Sequence, residues 1–345
     1  MNIFITGGTG FIGKELTQTL LKEGHQIFLL VRPASMEKAK LLFQDQQNLK
    51  FIEGDITQTD VIHNISSINS TINKVDTVIH IAAVYDFNAS YEECYYQNVV
   101  GTQNIINLIK KMRALKHFHY FSTFAVNPIA EGAVSEDYLT EDTSLFPDDY
   151  SLTKNHAEHL VKKNISPDYT TVIYRPGIIM GDSLSGEFSK VDGPYFIFDI
   201  LSKFKKKIKV NINLPITLLP IDEKASLPIL PVDTLINWTS KIINHPPTES
   251  KTYHLISPQR IKATQFLEQS FKLLGFKTRV LPVPGHLIFQ QLFKYFKLPR
   301  EIIFYSNLKT TFETTQLLKD YPDLKYPLYQ DYLPTLIRGF LKGRS

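Results

Sequence analysis

Residues 1–35, MNIFITGGTGFIGKELTQTLLKEGHQIFLLVRPAS, carry the pattern that decides the fold. An apolar run at residues 3–5 leads directly into a glycine-rich turn, Gly8-Thr9-Gly10-Phe11-Ile12-Gly13, and leucines spaced four apart follow it. This order predicts a strand, a tight turn and a helix, and a second apolar run at residues 27–31 predicts the next strand. The turn matches the GxGxxG fingerprint, in which missing side chains let the backbone approach a pyrophosphate at the start of a helix. We therefore expect a bound dinucleotide, and a turn that binds nothing is the alternative.

Similar strand and helix patterns alternate through the first half of the chain. Further apolar runs lie at residues 50–53, 76–81, 118–122 and 170–175, with helical patterns between most of them. This alternation predicts an α/β fold, a Rossmann doubly wound parallel sheet. After about residue 176 the composition shifts to Pro, Lys and aromatic residues, and strand-like runs return at 228–232 and 253–256. We expect residues 1–180, with returning segments at about 228–260, to form the dinucleotide-binding domain, and residues 181–227 and 261–345 to form a smaller C-terminal substrate lobe.

Composition limits the classes of protein to which the chain can belong. Its 345 residues are 43% hydrophobic and 21% charged, as in ordinary globular proteins. No apolar run reaches the roughly 20 residues that span a membrane, so we predict a cytoplasmic location. Cys94 is the single cysteine, which rules out an intrachain disulfide and a cysteine metal site, and the histidines lack zinc-ligand spacing. We predict no metal, and we expect His80 to be a strand residue packed against a helix.

The net charge is modestly basic, at +4. Much of the excess lies in one run, Lys203, Lys205, Lys206, Lys207 and Lys209. No nucleic-acid-reading motif accompanies this run, so we expect no nucleic-acid partner. A role beside an anionic ligand, peripheral contact with a membrane surface and a homodimer stay open.

Arg32, the residue directly after the second predicted strand, indicates which dinucleotide binds. Enzymes that use NAD commonly place Asp or Glu here to hold the ribose 2′-hydroxyl. A guanidinium would instead pair with the 2′-phosphate of NADP, which a carboxylate would repel. The sequence thus favours NADP over NAD, with a surface arginine of no such role as the alternative.

Tyr150 and Lys154, in DDYSLTKNHAEHL at 148–160, are one helical turn apart on the same face. The pKa of a free tyrosine phenol is about 10. A neighbouring ammonium would lower that pKa and make the tyrosine a usable proton donor. The same spacing also occurs at Tyr305/Lys309 and Tyr321/Lys325, which we interpret as chance. Tyr150 is preferred because it follows a predicted strand that ends near Ser122 and Thr123, at the edge where such sheets bind ligands.

Taken together, these stretches resemble the extended short-chain dehydrogenase/reductase family, also known as the NAD-dependent epimerase/dehydratase superfamily, over about the first 260 residues. The matching pieces are TGGTGFIG at 6–13, GDIT at 54–57, HIAA at 80–83, YQNVVGTQNII at 96–106, FSTFAV at 121–126, YSLTK at 150–154 and YRPG at 174–177. The resemblance implies that Tyr150 exchanges the proton, that Lys154 holds the nicotinamide ribose, and that Thr123 hydrogen-bonds the reacting oxygen. It also implies a set of residues that contact the cofactor: Gly7, Gly10, Phe11, Ile12, Gly13, Arg32, Asp55, Ile56, Ala82, Ala83, Tyr150, Lys154, Pro176 and Gly177.

RPGIIMGDSLSGEF at 175–188 resembles the branch of this family that contains thioester reductases and fatty acyl-CoA reductases. That branch implies an NADPH-dependent oxidoreductase that reduces a carbonyl or acyl group, including a thioester, on an apolar small molecule. Four apolar residues at helical spacing, Phe289, Leu292, Phe293 and Phe296, are expected to lie in the core of the lobe, with an acyl-binding wall or a membrane-facing surface as the alternatives. Sugar dehydratases of the family place an acidic pair after the catalytic threonine, whereas Phe124 and Ala125 follow Thr123, so a dehydratase is disfavoured.

Two other functions remain as alternatives. A non-catalytic NADP-binding regulatory protein would keep the fold, but it would not need Thr123, Tyr150 and Lys154 together. An NAD-dependent sugar-nucleotide epimerase is disfavoured by Arg32 and by the aromatic substrate lobe.

Overall fold

The computed structural model describes residues 1–63, 69, 71–85, 89–128, 131–189, 191, 193–208, 215–219, 221–283, 304, 305 and 307–343, except the side chains of residues 204 and 206–208. Its strands are β1 (Asn2–Thr6), β2 (Gln26–Val31), β3 (Leu49–Glu53), β4 (Thr77–His80), β5 (His117–Phe121), β6 (Glu131–Val134), β7 (Thr170–Pro176), β8 (Ile178–Met180), β9 (Ile216–Leu219), β10 (Ile229–Pro231), β11 (Lys251–Leu255), β12 (Arg279–Pro282) and β13 (Lys309–Phe312). Its α-helices are α1 (Phe11–Lys22), α2 (Met36–Leu42), α3 (Tyr91–Cys94), α4 (Gly101–Ile109), α5 (Asp149–Lys163), α6 (Tyr195–Ile208), α7 (Val232–Asn244), α8 (Ala263–Leu273), α9 (Thr315–Asp320) and α10 (Tyr329–Lys342). A π-helix, Tyr95–Val100, joins α3 to α4.

Seven strands form one sheet in the order β11-β7-β5-β4-β1-β2-β3, and every neighbouring pair is parallel. The strand order reverses between β1 and β4, because β2 and β3 lie on one side of β1 while β4, β5, β7 and β11 lie on the other. Ligands of such sheets bind in the crevice outside the carboxyl ends of the strands at this reversal. The predicted α/β fold with a doubly wound parallel sheet is confirmed.

Buried apolar side chains cover both faces of the sheet. One face packs against α1 and α7, with Leu16, Leu20 and Trp238 in its core. The other face packs against α4 and α5, with Ile105 and Val161 in its core. Burial on both faces explains why the strands consist of nearly continuous apolar residues.

A separate hydrophobic core forms from chain that follows β7. It joins α6, α8 and α10 through aromatic side chains that include Phe198, Phe266 and Phe340, each with no exposed surface. Two short parallel pairs, β8 with β10 and β9 with β12, lie in the same part of the chain. The division into a domain at residues 1–180 and a lobe beyond it stays a prediction. No helix among the described residues is long and apolar enough to cross a membrane.

Candidate active site

The glycine turn fits closely between β1, α1 and the end of β4. Gly7 adopts a positive φ of 77°, and a Cβ there would lie 2.5 Å from the backbone nitrogen of Ala82. A Cβ at Gly13 would lie 2.2 Å from the carbonyl oxygen of Gly7. Glycine is therefore required at both positions, because any side chain would push the turn away from the helix or from β4.

The start of α1 has the properties of an anion site. Its N-cap residue, Gly10, provides no side-chain cap, and the first turn contains no acidic residue. The first N–H groups of a helix lack partners within the helix and carry the positive end of its dipole. Thr9, Gly10, Phe11 and Ile12 line the cavity at this point, so the turn suits a dinucleotide pyrophosphate.

One large cavity, of about 630 Å³, lies at the carboxyl ends of β1 and β4. It contains every residue that the sequence nominated for the site: Gly7, Gly10, Phe11, Ile12, Gly13, Arg32, Asp55, Ile56, Ala82, Ala83, Thr123, Tyr150, Lys154, Pro176 and Gly177. The volume is within the range typical of ligand and cofactor sites, roughly 300–1,000 Å³. The structure thus brings together residues that are up to 170 positions apart in the sequence.

Arg32 and Asp55 differ in how free their charged groups are. Arg32 is exposed and lines the cavity directly after β2. The carboxylate of Asp55 lines the same region, but its Oδ1 accepts hydrogen bonds from the backbone nitrogen and the hydroxyl of Thr57, both at 2.9 Å. Asp55 therefore holds its own turn through Oδ1, and Arg32 places a positive charge beside the cavity directly after β2.

His80 supports the turn from beneath. Its Nδ1 lies 2.7 Å from the hydroxyl of Thr6, and its Nε2 lies 3.2 Å from the hydroxyl of Thr102 on α4. Burial and, to a smaller extent, the charge of Lys154 together lower the pKa of His80 to about 3, so the ring is neutral. The prediction of a strand residue packed against a helix is confirmed.

Thr123 and Tyr150 meet in the cavity. Thr123 follows β5, and its side chain caps the short helical turn Phe124–Val126 by accepting from the nitrogen of Ala125. Tyr150 lies in the first turn of α5, and the ring of Tyr85 packs against it edge-on at 5.0 Å. Burial and the charge of Asp148 raise the pKa of Tyr150, and a side-chain hydrogen bond with Thr123 acts in the opposite direction.

Lys154 differs from the expectation in one respect. Its ammonium is 2% exposed and donates to the hydroxyl of Tyr120 at 3.0 Å and to the carbonyl oxygen of Phe121 at 2.6 Å. Burial lowers the pKa of Lys154 to about 7. Burial and the charge of Asp148 raise the pKa of Tyr150, which is opposite to the lowering expected from this ammonium, and Lys154 is bonded to β5.

A buried ion pair holds α5 against the sheet. The guanidinium of Arg175, on β7, donates to Glu158 on α5 at 2.5 Å, and neither side chain is exposed. Glu158 also accepts from the hydroxyl of Ser122 at 2.5 Å. Removing one member would leave a buried charge uncompensated, so this network fixes the helix that carries Tyr150 and Lys154 relative to the strand end that carries Thr123.

The π-helix also holds α5 in place, through hydrogen bonds of one buried side chain. Asn98, which is buried within it, accepts from the backbone nitrogen of Val84 at 2.9 Å and donates to the hydroxyl of Thr153 on α5 at 3.0 Å. One side chain therefore joins the loop after β4 to α5. Single π-turns inside α-helices occur frequently at functional sites, and this one lies beside the cavity.

The structure adds residues that sequence patterns did not nominate. The cavity is also lined by residues that belong to the second hydrophobic core or pack against it, which we call its apolar half: Ile178, Phe188, Tyr195, Ile197, Leu227 and Leu267. Phe188 stacks on Tyr195 with ring centroids 4.7 Å apart. The sequence pointed to an apolar lobe, but it held no signal that selects these side chains, since their proximity arises from the packing of α6, α8 and the loop before α6.

The two other Tyr/Lys pairs differ in their contacts. The hydroxyl of Tyr321 donates to the carbonyl oxygen of His245 at 2.8 Å, a structural contact. Lys309 forms ion pairs with Glu131 and Asp222, so it makes no dyad with Tyr305. Tyr305 itself nevertheless lines the cavity, which the spacing argument missed.

Two predictions, on the apolar stripe and on the lysine run, fall wholly or partly outside the described residues. Phe289, Leu292, Phe293 and Phe296 lie outside the described residues, as do Lys209 and the side chains of Lys206 and Lys207. Lys203 forms an ion pair with Asp199 at 2.9 Å, and Lys205 donates to the carbonyl oxygen of Leu274 at 2.9 Å. Both contacts lie within the second part of the chain, and neither lysine is among the residues that line the cavity. Among the described residues, no group of three or more His, Cys, Asp or Glu side chains could hold a metal ion.

Comparison with known proteins assigns the chain to a family. The model of the male sterility protein family, an NAD-binding domain, matches residues 5–238. A nonribosomal peptide synthetase, asaC of Aspergillus flavus, is 27% identical over 294 residues, which cover 79% of this chain and 27% of that protein. Fatty acyl-CoA reductase 1 of Xenopus laevis is 24% identical over 269 residues, which cover 64% of this chain and 52% of that protein. The chain therefore spans about a quarter to a half of these relatives.

Two solved structures share the fold. The terminal R domain of the myxalamid PKS-NRPS biosynthetic pathway superposes with a TM-score of 0.80 at 22% identity, covering 99% of this chain and 91% of that one. UDP-glucuronic acid 4-epimerase of Bacillus cereus in complex with NAD superposes with a TM-score of 0.67 at 20% identity, and both chains are covered completely, at 100%. At this identity the two structures show the fold alone.

Proposed function

Because the chain belongs to the male sterility protein family, within the extended short-chain dehydrogenase/reductases and their thioester reductase-like branch, we propose that it is an NADPH-dependent reductase of a carbonyl or acyl group on an apolar substrate. One observation carries the proposal. Thr123 and Tyr150 line the same cavity as the glycine turn, and apolar side chains such as Phe188, Ile197 and Leu267 line it as well. A hydroxyl pair between a dinucleotide site and an apolar site is the arrangement that reduction of an apolar carbonyl compound requires.

NADPH is preferred to NADH on the basis of charge. The exposed guanidinium of Arg32 lines the cavity after β2, where the adenosine ribose of a dinucleotide lies in folds of this type. The Oδ1 atom of Asp55 accepts two hydrogen bonds from Thr57, which hold this carboxylate in its own turn. A cation at this place favours the 2′-phosphate of NADP.

The chain's own side chains would supply the proton and the orientation. Bound NADPH supplies a hydride to the carbonyl carbon. Thr123 orients the carbonyl oxygen with its hydroxyl, and Tyr150 donates its phenolic proton to that oxygen. With a thioester the product is a hemithioacetal, whose C–S bond then breaks while the hydroxyl proton leaves with sulfur, giving an aldehyde and a thiol.

The apolar half of the cavity supports an acyl chain as the substrate group. Phe188, Tyr195 and Leu267 are among its lining side chains, and transfer of each methylene into such a site contributes up to about 0.8 kcal/mol. A sugar nucleotide would need a polar partner for each hydroxyl. We therefore rank an NAD-dependent epimerase, which the fold also accommodates, below a reductase of apolar substrates.

A substrate panel tests the proposal. The oxidation of NADPH is followed with acyl-CoA thioesters, aldehydes and ketones from short to long chains, and epimerisation of UDP-sugars is followed separately by separating the products, because an epimerase consumes no net NADPH. We expect kcat/KM to rise with chain length and then level off when the apolar half of the cavity is filled. Turnover confined to UDP-sugars would contradict the proposal.

The variant Tyr150→Phe provides the control. We expect it to lose at least the roughly 10²-fold in kcat that general acid catalysis contributes, with NADPH binding nearly unchanged. Tyr321→Phe, whose hydroxyl is bonded far from the cavity, is the matched variant and should keep its activity. Equal activity of Tyr150→Phe and the wild type would favour a non-catalytic NADP-binding protein.

A further inference from the structure

Two side chains of α8 lie between the cavity and the second hydrophobic core. Ala263 is the first residue of the helix and Leu267 follows one turn later, so the two share one face of α8. Both line the cavity, and both also belong to the core. Each is almost fully buried. Ala263 and Leu267 therefore separate the space of the cavity from the packed side chains behind them.

The core behind these two residues is closely packed. Phe266, beside Leu267 on α8, has no exposed surface. Its ring centroid lies 6.3 Å from that of Phe198 on α6 and 6.2 Å from that of Tyr329 on α10. A ligand that passed α8 would have to displace these rings, and protein interiors resist such overpacking. The cavity is therefore limited in this direction by a wall that does not yield easily.

Backbone hydrogen bonds connect the start of α8 to the strands that carry the proposed reacting groups. The nitrogen of Leu227 donates to the carbonyl oxygen two residues before Ala263, at 2.8 Å, and the nitrogen of Ile178 on β8 donates to that of Pro228 at 2.7 Å. β8 follows β7, the sheet neighbour of β5, and Thr123 follows β5. Thr123, Ile178, Leu227 and Ala263 all line the cavity. Ala263 thus lies three neighbouring segments away from the strand end that leads to Thr123.

We propose that Ala263 and Leu267 form the end wall of the apolar half and set the longest acyl chain that the site accepts. The inference rests on the proposed function, because it places the reacting carbonyl at Thr123 and Tyr150 and the chain along the lining that leads to α8. Each methylene contributes to binding only while it can leave water for the cavity. A methylene beyond the wall meets the packed core, so it contributes nothing further.

Two substitutions should move this limit in opposite directions. Leu267→Ala removes three carbon atoms from the wall, so the chain length at which kcat/KM levels off should rise by about two carbons. Ala263→Leu places a longer side chain at the wall and should lower that length by a similar number. Each carbon that Ala263→Leu excludes should lower kcat/KM by up to about fourfold. The measurement uses NADPH and saturated aldehydes that increase by one carbon at a time.

Leu274→Ala is the matched control. Leu274 ends the same helix, belongs to the same core and is 4% exposed, against 3% for Leu267, but it does not line the cavity. It should lower the free energy of unfolding, as Leu267→Ala does, and leave the limiting chain length in place. An unchanged limit in Leu267→Ala, or an equal change in Leu274→Ala, would overturn the proposal. If Ala263→Leu does not fold, this comparison alone decides.

Binding of saturated primary alcohols in the presence of NADP gives a second measurement that needs no turnover. We expect the gain in affinity per added carbon to end at a limiting length, and Leu267→Ala to raise that length while Leu274→Ala does not. Should this occur although no aldehyde or thioester is reduced, the wall would be supported and the proposed function refuted. Reduction of aldehydes with a limiting length that neither Leu267→Ala nor Ala263→Leu moves would refute the wall and leave the proposed function standing.

Discussion

At the scale of single residues, the cavity contains two groups whose pKa values the structure shifts away from their ordinary values. Burial lowers the pKa of Lys154 to about 7, and burial with the charge of Asp148 raises the pKa of Tyr150. Both effects come from desolvation, which penalises whichever form is charged.

Arg32 is the residue on which cofactor choice depends. We expect Arg32→Ala to weaken NADPH binding by about 1.5–3 kcal/mol, the contribution of a hydrogen bond to a charged group, and to leave NADH binding nearly unchanged. Titration of both cofactors by fluorescence measures this. Lys38→Ala is the control, since Lys38 is an exposed cation on the neighbouring helix α2 and does not line the cavity. Equal weakening of NADPH and NADH in Arg32→Ala would show that Arg32 does not read the 2′-phosphate.

At the scale of elements, α10 supports the cavity through a close backbone contact. Gly339 on α10 lies against the loop that precedes α6, and a Cβ at Gly339 would be 2.1 Å from the carbonyl oxygen of Gly186. Gly186 itself has a positive φ of 77°. The same loop continues to Phe188, which lines the apolar half of the cavity, so the helix determines where that half of the wall lies.

We expect Gly339→Ala to lower the free energy of unfolding by about 1–3 kcal/mol, the usual cost of overpacking, even though Ala favours helices. The backbone oxygen of Gly186 cannot move aside as a side chain could. Gly343→Ala, at the end of the same helix, is the control, because its Cβ would approach no atom closer than 3.6 Å. Urea unfolding of both variants measures the difference, and equal stability of the two would disprove the contact.

At the scale of the whole molecule, Glu136 joins segments that are far apart in the sequence. Its carboxylate accepts from the backbone nitrogens of His254 on β11 and of Gln316 and Leu317 in α9. These contacts span 118 to 181 residues. One buried carboxyl group therefore fastens the C-terminal part of the chain to the edge of the sheet.

The pH dependence of stability should reveal this group. Burial raises the pKa of Glu136 from 4.5 to about 7, with its backbone hydrogen bonds acting in the opposite direction. The folded state therefore binds this proton more tightly than the unfolded state, so the stabilisation is complete below pH 4.5 and is lost as pH rises through about 7. The stability difference between the wild type and Glu136→Gln should fall over this range by at most roughly 3 kcal/mol.

Glu131→Gln provides the comparison for that measurement. Glu131 is exposed, and hydrogen bonds from Lys309 and Lys224 lower its pKa, so its contribution is lost only as pH falls below its ordinary range. The difference in unfolding free energy between Glu131→Gln and the wild type should not change between about pH 5 and about pH 8. A difference for Glu136→Gln that is also flat, or that grows with pH, would mean that the carboxyl group is already ionised in the folded protein.

The sheet, the glycine turn and the cavity-lining residues beside that turn could all be predicted from the sequence. These are local patterns: apolar runs specify strands, and Gly7 to Gly13 must lack side chains for backbone atoms to meet, so the pattern of residues directly reflects the geometry. Tyr150 and Thr123 could be located because each lies beside a predicted strand or helix end. The tertiary structure alone decided the direction of the phenol pKa, the hydrogen bond from Tyr305 to Asp148 and the aromatic wall around Phe188 and Tyr195. Burial and long-range charge depend on which segments pack together, and no spacing along the chain encodes a contact between residues that are 157 positions apart.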